Sequence, residues 1–98
     1  MRDRLLFMNT LLVSYDLLAP EKDYEKLWDH LKSYPQWARP LESVWLIRAG
    51  LTAGEMKILL RDNYVDQNDK LFVVDVTGRA VSWSHLPEKV SQWIKDYF

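Results

Sequence analysis

Leu11-Leu12-Val13-Ser14-Tyr15-Asp16-Leu17 is an apolar run that delivers one carboxylate near its end. Its alternation sets Leu11, Val13, Tyr15 and Leu17 on one side and Leu12, Ser14 and Asp16 on the other, which is the two-residue period of a β-strand. A carboxylate at the exit of a core strand has two ordinary uses. It caps the following turn as an Asx-type acceptor, or it is held rigidly for metal or acid–base chemistry. The stretch leaves both open for Asp16.

Beyond this strand, Ala19-Pro20-Glu21-Lys22 reads as a turn and Asp23 as the N-cap of a helix. Tyr24, Leu27, Trp28, Leu31 and Tyr34 recur at three- and four-residue steps, so the spacing predicts an amphipathic helix of about three turns. Pro35 ends it. Trp37-Ala38-Arg39 reads as a short, exposed strand, with Pro40 tolerated only at an edge or bend. Val44-Trp45-Leu46-Ile47 has no polar position and reads as a central strand covered on both faces. These two pieces are either a hairpin through Pro40-Leu41-Glu42-Ser43 or one long kinked strand.

Thr52-Ala53-Gly54-Glu55 has the spacing of a capping box, opening a second helix whose buried stripe is Met56, Leu59 and Leu60. After a polar loop over 65–69, Leu71-Phe72-Val73-Val74-Asp75-Val76 reads as a strand and Thr77-Gly78 as a turn. Ala80-Val81-Ser82-Trp83 reads as a short last strand. Pro87 stands at a first helical position, and Val90, Trp93, Ile94 and Tyr97 mark a third amphipathic helix.

Strand, helix, strand pair, helix, strand is the order of the ferredoxin-like βαββαβ sandwich, an α+β fold with an antiparallel sheet and two helices on one face. Here a short fifth strand and an extra C-terminal helix are added. The expectation is one domain over 1–98, with residues 1–9 as an extension, 10–83 as the core and 86–98 as the last helix. Met8 is an alternative natural start. The first strand and the 44–47 strand should lie side by side in the middle. Because 44–47 and 71–74 are apolar at successive positions, the second sheet face should also be buried, by a partner subunit or by the C-terminal helix. A two-fold homodimer is the commonest solution.

The 98 residues carry 13 Lys plus Arg against 14 Asp plus Glu, a formal charge of −1, so the overall field does not attract phosphate. Nucleic acid would need a local basic patch, and no run of Lys or Arg supplies one. With no cysteine there is no disulfide, thiolate nucleophile or zinc–thiolate site, and two histidines do not make a histidine-rich metal centre. Leu5-Leu6-Phe7-Met8 is too short for a signal peptide, and no stretch approaches the roughly 20 apolar residues of a membrane span. The expectation is a cytoplasmic protein with no membrane partner.

Val13-Ser14-Tyr15-Asp16, Trp37-Ala38-Arg39 leading into Ser43-Val44-Trp45, and Leu51-Thr52 at the second helix together resemble the CRISPR-associated Cas-two family. They are still more similar to its VapD-type and SinR-like relatives. The resemblance spans about residues 10–76 and leaves out both ends. It implies a dimeric ferredoxin-like domain. In that family some members are metal-dependent endonucleases on RNA or DNA, VapD-type members are toxin-like ribonucleases, and others are non-catalytic subunits that hold DNA. Carried over by position, it implies Asp16 as a Mg2+ or Mn2+ ligand and catalytic carboxylate beside its symmetry mate. Arg39 is implied as the second catalytic residue, and Ser43 and Trp45 as contacts to substrate.

The chemistry is sound, because a hard divalent ion takes oxygen ligands and two carboxylates across a two-fold axis can supply them. Arg39 suits a phosphate, and a tryptophan can stack on a base or wall the site. Each residue has a plainer role beside this one. Arg39 can pair with Glu42 or a partner subunit, Ser43 can satisfy backbone groups at a bend, and Trp37 and Trp45 can be core aromatics. His30 and His85 read as solvated. Asp66, Asn68 and Asp69 lack the glycine and terminal glutamate of a calcium loop. Nuclease-type members carry arginines early in the first helix, whereas residues 19–26 here offer only Lys22 and Lys26 amid Glu21, Asp23 and Glu25. That charge favours the alternative, a non-catalytic dimeric binding or assembly subunit.

Overall fold

The computed structural model describes residues 8–18 and 24–98. Its elements are β1 (Asn9–Asp16), α1 (Glu25–Lys32), β2 (Trp37–Leu41), β3 (Val44–Ala49), α2 (Ala53–Asn63), β4 (Lys70–Asp75) and α3 (Glu88–Tyr97). The fold is α+β. Four antiparallel strands lie in the order β2-β3-β1-β4, so β1 and β3 are central, and the arrangement is consistent with a ferredoxin-like sandwich. Each parallel-related pair, β1 with β2 and β3 with β4, is split by a strand between them.

The first face of the sheet follows from the alternation of β1. Leu11 stands opposite Ile47, and Val13 opposite Trp45. All four are fully buried against Leu27 and Leu31 of α1 and Met56 and Leu60 of α2. Each such side chain contributes about 1.5–3 kcal/mol of transfer free energy. The capping box is formed: the Thr52 N–H donates to Glu55 Oε1 at 2.8 Å, and the Glu55 N–H to Thr52 Oγ1 at 3.1 Å. α1 is shorter than its periodicity suggests, ending at Lys32 before Pro35. The expected Asp23 cap, the 19–22 turn and residues 1–7 of the expected extension lie outside the described residues.

β2 and β3 form the hairpin rather than one kinked strand. Their register shifts between Ala38 and Leu41, where Pro40 cannot donate to the ladder. The 44–47 stretch is covered on both sides as expected, with Trp45 and Ile47 under the helices and Leu46, on the second face, only 4% exposed. β4 is an edge strand, as the ferredoxin-like order has it, and Phe72 on the second face is 61% exposed in the single chain, so the C-terminal helix does not cover this position.

The expected fifth strand is not formed, because residues 80–83 join no ladder. Gly78, at φ 66°, takes the left-handed turn position that glycine adopts freely, and the Arg79 N–H closes the turn on the Val76 carbonyl. The chain then runs across the second face, where the Trp83 indole donates to Ser91 Oγ of α3 at 2.9 Å. Those side chains serve the last helix instead of an edge.

α3 rests on its own sheet. Ile94 is buried, the Thr10 hydroxyl donates to the Tyr97 carbonyl at 3.5 Å, and the Arg48 guanidinium lies 5.2 Å from the Tyr97 ring centre. Only one half of the second face is covered in this way. A mostly apolar groove of about 440 Å³ runs between the sheet and the C-terminal segment, touching Leu12, Val44, Leu46, Trp83 and Ile94. Among the described residues no helix is long and apolar enough to cross a membrane.

Candidate functional site

Asp16 is the last residue of β1 and stands opposite Lys70 of β4, on the same face as Leu12 and Ser14. Its carboxylate is exposed and makes no hydrogen bond or ion pair among the described residues. The turn-capping role open to Asp16 in the sequence is filled by another acid. Asp69 Oδ1 accepts the Leu18 N–H at 2.7 Å, and Asp69 Oδ2 accepts the Asp66 N–H at 2.7 Å. The Tyr24 hydroxyl lies within 2.9 Å of both oxygens. Asp69 is thus a buried clamp between the exit of β1, the start of α1 and the 65–69 loop. A buried carboxylate requires such donors, and it has them.

Three of the residues singled out in the sequence meet. Asp16, Arg39 and Ser43 line one cleft of about 290 Å³ at the end of the sheet, together with Tyr15, Leu17, Trp28 and Glu42. Antiparallel pairing explains the meeting, because the exit of β1 faces the entry of β3 and the β2–β3 turn: Ser14 is registered with Val44, and the Tyr15 N–H donates to the Ser43 carbonyl at 3.3 Å. The fourth residue does not reach the cleft. Trp45 is fully buried, so it has no face for a base and acts as a wall beneath Arg39.

Arg39 is pinned rather than loose. Its Nε–H donates to the Glu42 backbone carbonyl at 2.9 Å, in place of the Glu42 carboxylate pairing considered from sequence. Its guanidinium carbon lies 4.8 Å from the Trp45 ring centre and 5.4 Å from that of Trp28. Beneath it, the Tyr15 hydroxyl oxygen accepts the indole N–H of Trp45 at 2.9 Å and of Trp28 at 3.0 Å. Tyr15 and Trp28 look like ordinary core aromatics in sequence. Only the packing of α1 on β1, which periodicity does not encode, places their polar ends together.

His30 is not solvated as expected. Its ring stacks on Tyr64 at 4.6 Å and its Nε2 lies 3.0 Å from the Tyr34 hydroxyl, between α1 and α2. Burial holds this imidazole below its ordinary pKa and, with Tyr64 nearby, raises the Tyr34 phenol. This cluster lies away from the Asp16 cleft.

Among the described residues no group of three or more His, Cys, Asp or Glu is gathered. The cleft offers the carboxylates of Asp16 and Glu42 and the Ser43 hydroxyl, which are oxygen donors of the type a hard cation takes. No family model, curated protein or solved structure matches this chain.

Proposed function

We propose that this chain is a homodimeric, ferredoxin-like protein of the Cas-two and VapD type, acting as a metal-dependent endonuclease on RNA or DNA phosphodiesters. The observation that supports it is the cleft in which an unengaged carboxylate (Asp16), a pinned cation (Arg39) and a hydroxyl (Ser43) surround one opening. Phosphodiester hydrolysis needs these kinds of group: an anchor for a hard cation and a fixed positive charge for the phosphoryl oxygens.

The partner is a second copy on the open half of the second face. Phe72, 61% exposed, and Leu41, 60% exposed, border that half, and a two-fold contact over it would bring the Asp16 carboxylates toward one another. Mg2+ or Mn2+ held by the two Asp16 residues would lower the pKa of a bound water and polarise the phosphodiester. Arg39 would orient the phosphoryl oxygens, and Ser43 would hydrogen-bond the substrate backbone.

The second reading is a non-catalytic dimer that binds or assembles nucleic acid or protein. It draws support from the net charge of −1, which does not attract phosphate. Incubation of the protein with single-stranded RNA and with duplex DNA in Mg2+ or Mn2+, beside Asp16→Asn, separates the two. Cleavage that Asp16→Asn abolishes is the expected result. Cleavage that survives the substitution removes the proposed mechanism, and no cleavage by either protein leaves the assembly reading.

A further inference from the structure

Strand alternation puts the Tyr15 ring in the core, but neither it nor the Asp16 chemistry explains the bonding of its hydroxyl. A phenol oxygen accepts two hydrogen bonds and donates one. Both acceptor positions are taken by indoles, Trp28 from α1 and Trp45 from β3. The remaining proton goes to the Glu42 carbonyl at 3.4 Å, the same oxygen that accepts Arg39 Nε–H. The Tyr15 backbone N–H adds the bond to the Ser43 carbonyl.

Turning both indole N–H groups onto one oxygen fixes how their rings stand, and Arg39 lies over both rings. The guanidinium is therefore held by two aromatic faces and one carbonyl, while its two Nη groups have no hydrogen-bond partner among the described residues. That free edge belongs to a residue lining the Asp16 cleft. A paired N–H edge is suited to two oxygens of a phosphoryl group.

We propose that Tyr15 is a positioning residue: by gathering Trp28, Trp45 and the Glu42 carbonyl, its hydroxyl sets Arg39 and the 42–43 turn as a preorganised phosphoryl-binding edge. The inference rests on the phosphoryl reading of the cleft given above. Tyr15→Phe keeps the ring but leaves two indole N–H groups without their acceptor, so the aromatic support under Arg39 loses its fixed orientation.

The test is calorimetric titration with inorganic pyrophosphate, accompanied by the Arg39 Nε–H and indole N–H resonances. Binding to the unmodified protein, its loss in Arg39→Ala, and weakening by about tenfold in Tyr15→Phe are expected. If the unmodified protein does not bind pyrophosphate, the phosphoryl reading fails and the inference with it. If it binds and folded Tyr15→Phe binds equally well, the inference alone is overturned. Should Tyr15→Phe not fold, titration of the unmodified protein decides: the Trp28 and Trp45 indole signals move together with Arg39 Nε–H on binding, whereas movement of Arg39 alone contradicts the coupling.

Discussion

The two faces of the sheet are built from alternate residues of the same strands, yet they do different work. On the first face, Leu11, Val13, Trp45 and Ile47 are sealed by α1 and α2. On the second, Leu12 shares a groove of about 440 Å³ with Ile94 of α3, while Asp16, Phe72 and Leu41 stand in the open. Stability is concentrated on the closed face. The exposed Phe72 and Leu41, and the Asp16 carboxylate with no hydrogen bond among the described residues, lie on the other.

This contrast is open to direct attack. The largest effect belongs to the closed face: Leu60→Ala should lower unfolding free energy by about 2–5 kcal/mol in urea titration, because a fully buried side chain leaves a cavity. A loss near zero would mean the helices do not seal the sheet as described. Next comes the clamp beside the cleft. Asp69→Ala strips the acceptor from two backbone N–H groups, so a cost of roughly 1–3 kcal/mol is expected by the same measurement.

Phe72→Ser sharpens the comparison from the open side. It should change chain stability by no more than about 0.5 kcal/mol, as surface substitutions do, while weakening self-association in sedimentation velocity. Unchanged association would place the partner elsewhere. The smallest effect is the pH dependence of the α1–α2 contact. His30 has a folded pKa below its ordinary 6.5, so the unfolded chain takes up the proton first. This contribution to stability is intact above pH 6.5, declines as pH falls from there toward the folded value, and then levels off. Replacing His30 by Phe should flatten that part of the stability profile.

Local patterns carried much of the fold. The alternation of β1, the Thr52–Glu55 capping box and the unbroken apolar run of β3 each depend on neighbours in sequence, and each formed as expected. What was hidden depends on where elements meet. Strand-like chemistry at 80–83 was overridden when the Gly78 turn sent the chain over the face, giving Trp83 a partner in Ser91. His30 sits at a polar position of α1, but Tyr64 of the α2 C-terminus closes over it. Of the two covers that the apolar 71–74 run allows, the C-terminal helix does not reach Phe72.

The site divides along the same line. Asp16 stands out as a carboxylate at a strand end, Arg39 and Ser43 are pointed to by the family resemblance, and the pairing of β1 with the hairpin brings all three to one cleft. Trp45 has the right chemistry for stacking but belongs to the sealed side. Tyr15 and Asp69 gave no sign of their roles, since all their side-chain donors but the nearby Asp66 N–H lie 13 to 51 residues away in the chain. Asp69 in particular takes over the capping work that sequence left open for Asp16.

Counting bound Mn2+ by electron paramagnetic resonance, in the unmodified protein and in Asp16→Asn at matched association state, tests the shared-carboxylate site most directly. One ion per pair of chains, lost in Asp16→Asn, is the predicted result; no bound ion, or binding that persists in Asp16→Asn, would contradict it.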